Sequence, residues 1–180
     1  MAYHINSLSA TLLPTNGVVG VDASGFDRSH ASKHYTKRAE LTIQQLKVTL
    51  LVDTKMNAIL DLHVTTIRKH DSQIAPSLIK RNPKNIDVLL GDKGYDDQKI
   101  RRLARQHGVR PLIKHREFTS LHRAWNARLD ADLYGQCSQS ETVNSTLKQK
   151  FGAFVRSRRW WKQFRELTSA CLIHNIGRSL

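Results

Sequence analysis

The sequence predicts an α/β fold, a mixed five-stranded sheet flanked by helices, and three observations point there. Short runs rich in Val, Ile, Leu and Thr come first, in hairpin-like succession. Further runs then alternate with helical patterns, and the last third of the chain is helical in rhythm. The resulting order, β-β-β-α-β-α-β followed by helices, makes a sheet with both antiparallel and parallel pairs and helices over its faces. At 180 residues, 39% of them hydrophobic, the chain has apolar surface for one core. We expect residues 1–17 to be an irregular N-terminal segment and 18–180 to form one domain.

Pro14-Thr15-Asn16-Gly17 is a turn signal, and VVGVD (18–22) reads as a short buried strand. The basic, His-rich stretch 24–40 has no apolar period and reads as a surface loop. LKVTLLVD (46–53) and AILDLHVTT (58–66) read as strands joined through DTKMN. Asp71 is the expected N-cap of a helix to about Lys80, with Ile74, Leu78 and Ile79 on one side, and NPKN (82–85) ends it. IDVLLGD (86–92) is the fourth strand. Asp96 or Asp97 caps a helix over QKIRRLARQHG, and Gly108 closes it. VRPLIK (109–114) is the fifth strand, and Pro111 argues for a sheet edge, because proline cannot donate to a second neighbour. Helical patterns follow over 121–129, 138–152 and 160–177. In the second, Val143, Leu147 and Phe151 recur at i, i+4 and i+8, with Gly152 as the stop.

The chain has 29 Lys and Arg against 15 Asp and Glu, a formal net charge of +14. Such a field attracts polyanions and releases their counterions, which puts nucleic acid first among partners. No stretch approaches the ~20 apolar residues of a membrane span. The N-terminus lacks the basic start and apolar run of a signal peptide. Cys137 and Cys171 make neither a disulfide framework nor a zinc site, so a reducing, cytoplasmic compartment fits.

In so basic a chain, the stretch VLLGDKGYDD (88–97) sets Asp92 between two glycines at a strand end, and Asp22 is expected to end the first strand in a similar context, DASG. If those strands are neighbours, the two carboxylates sit side by side and repel, and a divalent cation relieves the repulsion. Mg²⁺ takes oxygen ligands and leaves room for a phosphate. Glu141 is the best third acid: on a helix it shares a face with Asn144, Ser145 and Lys148, away from Val143, Leu147 and Phe151. The plainer readings are a turn or cap role for each aspartate, and for Glu141 a solvated helix position or a capping box with Ser138. Asp53 and Asp61 are expected to flank a turn, and Asp71, Asp96 and Asp97 to cap helices. His30 and His34 lack the helical pattern a metal pair needs.

GVDASGF, LLGDKGYDD and YGQCSQSETVNSTLKQKFG together resemble the catalytic core of insertion-sequence transposases of the DDE type, over about Val18 to Phe151. The resemblance implies an RNase H-like fold, Mg²⁺ or Mn²⁺ as cofactor, and DNA strand cutting and joining. By motif position Asp22, Asp92 and Glu141 would be the catalytic, metal-holding acids. The family's signature Y-x-x-R-x-x-x-E-x-x-x-x-x-x-K is met by Tyr134, Glu141 and Lys148, while Cys137 stands where the arginine is usual. Such chemistry needs a phosphodiester's charge neutralised and a hydroxyl activated, first of water and then of the freed 3′ end, without a covalent enzyme intermediate.

From Lys148 to Arg165 there are seven basic residues and no acid, with Trp160 and Trp161 among them. Lys148, Lys150, Arg156, Arg158, Arg159 and Lys162, with Tyr134, are the expected DNA contacts. Trp160, Trp161 and Phe164 are expected to anchor the last helix in the core. The 27–38 loop, with Arg28, Lys33, Lys37 and Arg38, is a second possible contact. The expected partner is double-stranded DNA, element ends and target, with a homodimer holding two ends together and the protein at the nucleoid. Too few residues precede the first strand for a helix-turn-helix, so the chain reads as a catalytic part without an N-terminal DNA-binding region. The alternatives are a degenerate remnant that binds DNA without catalysis, and an RNase H-like nuclease that cuts without joining.

Overall fold

The computed structural model of the chain describes residues 15–28, 45–66 and 69–180. Its strands are β1 (Val18–Asp27), β2 (Gln45–Asp53), β3 (Ala58–Thr65), β4 (Val88–Gly91) and β5 (Arg110–Ile113). Its helices are α1 (Asp71–Arg81), α2 (Gln98–Gln106), α3 (Ser120–Ala127), α4 (Ala131–Gly135), α5 (Ser138–Phe151) and α6 (Trp160–Ser179). The strands form one five-stranded sheet in the order β3-β2-β1-β4-β5. β1, β2 and β3 are antiparallel neighbours, whereas β4 and β5 run parallel to β1. A hairpin-linked half is thus joined to a half built by helical crossovers, the RNase H-like arrangement.

Alternation along β2 explains why both faces need cover. Leu46, Val48, Leu50 and Val52 face one side, where Val143 and Leu147 of α5 and Phe164, Leu167 and Cys171 of α6 complete a core. Leu51 faces the other side with Val19 and Val21 of β1, under Ile74, Leu78 and Ile79 of α1 and Ile100 and Ala104 of α2. α6 also guards the edge strand: Asn175 accepts from the Ile59 N–H and donates to the Ile59 carbonyl, both at 2.8 Å. β5 is the other edge, as Pro111 required, and sits opposite Leu89.

Several expectations need correction. β1 runs on to Asp27 instead of stopping at Asp22. Its ladder with β2 continues to Asp27 opposite Gln45, Phe26 is buried, and Asp27 also bonds through its backbone to Ala153 and Val155 in the segment before α6. Asp71 is the first residue of α1, not its cap; the His70 imidazole accepts from the Ser72 N–H, and Asp71 pairs with Lys47 at 2.7 Å. Asp61 lies within β3, fully buried, where Arg81 and Asn82 donate to it at 2.8 and 2.7 Å. Asp53 is also buried and accepts from the backbone N–H groups of Asn16, Lys55 and Met56, pinning the turn after β2. Asp97 caps α2 by accepting from Lys99. Asp96 instead accepts from Arg101 and from the Arg116 backbone. Phe164 is buried, but Trp160 and Trp161 remain 56% and 37% exposed. Lys162 and Arg165 stack on the Trp161 ring from 5.5 and 5.1 Å. Among the described residues no helix is long and apolar enough to cross a membrane. His30, His34, Lys33, Lys37 and Arg38 lie outside the described residues.

Candidate active site

The register of the parallel pair brings two of the acids together. Gly20 of β1 lies opposite Leu90 of β4, so Asp22 and Asp92, each two residues further on, are carried toward the same end of the sheet. The charge of Asp92 is felt by Asp22. β4 ends at Gly91 while β1 continues, which leaves Asp92 at the start of a tight 3₁₀ turn, Lys93–Tyr95. Asp92 Oδ1 accepts from the Gly94 N–H at 2.8 Å. A Cβ on Gly94 would stand 2.9 Å from that same oxygen and would press the carboxylate aside. The turn is anchored from below by Asp96, which accepts from the buried Arg101 at 2.7 Å and from the Arg116 N–H at 2.9 Å. These bonds outweigh burial and hold the Asp96 carboxyl below its usual range.

The third acid comes from α5, which lies across β1. The approach is close because Gly20 has no side chain; a Cβ there would meet Ser140 Oγ at 3.1 Å and its Cβ at 3.2 Å. One turn on, Asn144 donates to Asp22 Oδ2 at 2.8 Å. Glu141 lies between those two contacts on the helix and is exposed. Burial raises the Asp22 carboxyl above its ordinary value; Asn144 and the Ala23 N–H oppose this, and the charges of Glu141 and Asp92 add to the rise. Asp22 therefore feels both of the other acids. Among the described residues none of the three is ion-paired, in a chain with 29 Lys and Arg. Nor do they close into a finished ligand set: among the described residues no three His, Cys, Asp or Glu groups are arranged to hold a metal ion.

Tyr134 and Cys137 border the same place. Burial first, and then the charges of Asp92, Asp22 and Glu141, push the Cys137 thiol up to about 12. Tyr134 is likewise raised to about 12, by burial first and then by Cys137, Asp92 and Glu141. Lys114 lies 5.8 Å from the Tyr134 ring centroid. Cys137, free and partly buried, precedes α5 without capping it, and Ser138 donates to Gly135 O, so no capping box ties up Glu141. Lys148 follows Glu141 by two turns and rests 5.5 Å from the Phe26 ring centroid. Lys150, Arg156, Arg158, Arg159 and Lys162 are exposed. Glu166 accepts from the Arg156 and Ser157 N–H groups and fixes the segment that carries them.

Two contributors escaped the sequence reading. Asn144 was seen as part of the Glu141 face without a role; its signal is an amide three positions from that acid on a helix pressed to the sheet. Arg101 sits in a run of solvated-looking cations, and only its place beside Ile100 on the inner face of α2 marks it.

Comparison with known proteins follows this geometry. No curated protein matches the sequence. A chain in the cryoEM structure of the simian T-cell lymphotropic virus intasome in complex with a PP2A regulatory subunit is similar at 15% identity and a TM-score of 0.41. The similarity covers 71% of this chain and 48% of that one, so this chain spans about half the length of the one it matches. The transposase DDE domain family matches residues 14–176. That match takes in all five strands and the segments carrying Asp22, Asp92 and Glu141, and the chain belongs to the transposase DDE domain family.

Proposed function

We propose that this chain is a DNA transposase catalytic domain that cuts a DNA strand at an element's end and joins the freed 3′ end to target DNA. The reading is supported above all by Asp22 feeling the charges of Glu141 and Asp92, on strands whose parallel register points Asp22 and Asp92 toward the same end of the sheet. Three carboxylates are hard oxygen donors, and their mutual repulsion in a basic chain suits a divalent cation. Mg²⁺ or Mn²⁺ fits this donor set, and Asp22, Asp92 and Glu141 would hold it. When bound, the ion supplies Lewis acidity at the phosphate and lowers the pKa of an attacking hydroxyl.

The chain's own residues do the rest. Asn144 keeps the Asp22 carboxylate turned toward α5, and the Gly94 N–H fixes one oxygen of Asp92. Arg101, through Asp96, holds the turn that presents Asp92. Lys148 and Lys150 lie on α5 beyond Glu141 and neutralise phosphates on the DNA that reaches the acids. The exposed cations Arg156, Arg158, Arg159 and Lys162 extend that track. Tyr134 serves as a positioning group at its border.

A second reading, DNA binding without catalysis, is favoured by one feature. Cys137, whose thiol stays neutral at physiological pH, stands where the signature has an arginine. An assay that follows both cutting and 3′-end joining on DNA carrying the element's end separates the readings. Transposase chemistry gives both products in Mg²⁺ and loses both on Asp92→Asn. A nuclease gives nicks alone, and a DNA-binding remnant gives salt-sensitive binding that Glu141→Gln leaves unchanged.

A further inference from the structure

The segment between β5 and α4 has an unusual surface. Phe118 is 79% exposed, Leu121 54% and Trp125 41%. None of α3 is buried, so the helix contributes nothing to either core. Its rings are nevertheless ordered among themselves. His115 and His122 stack with centroids 5.8 Å apart and planes within 11°. Trp125 leans on both, at 5.1 and 5.7 Å, and Phe118 meets His122 edge-on at 6.3 Å. An ordered aromatic cluster left open to solvent is a surface for a flat, apolar-faced ligand.

Charge indicates which ligand. Lys114, Arg116, Arg123 and Arg128 belong to this segment, against two acids, Glu117 and Asp130. Glu117 is already paired with Lys93 at 3.2 Å and accepts from Asn126 at 3.1 Å, and Asp130 caps α4 by accepting from the Leu133 N–H at 3.0 Å. Exposed aromatic faces on a segment with four cations and two acids, both acids already engaged, match a nucleobase attached to its phosphates.

Position gives the cluster its purpose. It is fastened to the turn that follows Asp92: Arg116 donates to Lys93 O at 3.0 Å, the Arg116 N–H donates to Asp96, and His115 lies 3.2 Å from the Asp96 carboxylate. Asn126 of α3 clamps the segment from the far side, donating to His115 O and accepting from the His115 N–H. A base held on this cluster is therefore held by the same bonds that set Asp92.

We propose that Phe118, Leu121 and Trp125 form a stacking platform for an unpaired nucleobase of the DNA strand next to the scissile phosphate. The proposal rests on the DNA-cutting reading above and names the part of the substrate this surface takes. A terminal or frayed base has a free face, whereas a base within a duplex has none.

The test is equilibrium binding of the full chain, without divalent metal, to two duplexes of identical paired sequence. One is blunt and the other carries a short single-stranded extension with 2-aminopurine as its first unpaired base. We expect the extended duplex to bind about tenfold more tightly, and the 2-aminopurine fluorescence to be quenched on binding. Phe118→Ala and Trp125→Ala should remove that preference while leaving blunt-duplex affinity and melting temperature unchanged. Trp125→Phe should retain most of it. Equal affinity for the two duplexes, or alanine variants that weaken both alike, overturns the platform while leaving the cutting reading intact. Binding of neither duplex overturns the cutting reading itself. Loss of a dimer in the Phe118→Ala variant by light scattering, with the DNA preference unchanged, assigns the surface to a second copy of the chain and overturns the platform.

Discussion

Asp22 shows how a candidate active site acts against the fold that holds it. Its carboxyl is raised above the ordinary value chiefly by burial, with Glu141 and Asp92 adding to the effect. A group whose folded value is raised binds its proton more tightly in the fold than in the unfolded chain. It favours the fold at low pH, and that contribution is lost as pH climbs through the folded value. At neutral pH the ionised Asp22 therefore destabilises the metal-free protein. Asp22→Asn should melt a few degrees higher than the parent chain near pH 7, and the gap should shrink as pH falls toward about 4, the unfolded carboxylate value. Mg²⁺ should raise the melting temperature of the parent more than that of Asp22→Asn, because a ligand stabilises only a state that binds it. Thermal melts across pH, with and without the ion, check both effects. A variant that melts lower at every pH would show that Asp22 is a structural residue.

At the scale of elements, the site depends on how α5 lies on β1. Ser140 is fully buried, and its Cβ is fixed by the helix backbone, so it cannot rotate away from a side chain at position 20. Gly20→Ala should push the helix outward, cost about 1–3 kcal/mol as overpacking does, and draw Asn144 away from Asp22. Ser140→Gly in the same chain should recover part of the loss, as denaturant titration of the two variants would show. β1 is also where reading from sequence reached its limit. The run VVGVD announced a strand, but Ser24 and Gly25 looked like loop. What extends the strand to Asp27 is its ladder with β2, down to Asp27 opposite Gln45, with Phe26 in the core and the backbone of residues 153–155 at the end, contacts distant in sequence. The periodic elements were legible from their apolar spacing, and Pro111 identified its own edge. Of the motif acids, Asp92 follows a strand end as its context predicts, whereas Asp22, expected to end β1, lies in mid-strand. Asn144 and Arg101 were not legible, because a polar residue's role depends on the segment it meets: Asp22 is distant in sequence from Asn144, and Arg101, though close to Asp96, also donates to Ile113 O of β5. Trp160 and Trp161 were expected in the core from their size, yet they precede the buried turn of α6 and project among cations instead.

For the whole molecule, a net charge of +14 makes DNA affinity a function of salt. Lys150, Arg158 and Arg159 are exposed. If each contacts one phosphate, replacing all three by alanine should flatten the plot of log affinity against log salt by about 2–3, roughly 0.9 per contact on duplex DNA. An unchanged slope would move the DNA track elsewhere on the surface. The acids are the complement of that field, and they come from three distant segments: mid-β1, the end of β4 and the first turn of α5. Groups that act as one unit are grossly non-additive when removed. The most direct measurement is therefore the Mg²⁺-dependent nicking rate of Asp22→Asn, Asp92→Asn, Glu141→Gln and the triple variant, on the same DNA as the parent chain. The account predicts that each single substitution abolishes nicking as completely as the triple. A Glu141→Gln chain that still cuts, or losses that add up step by step, would contradict it.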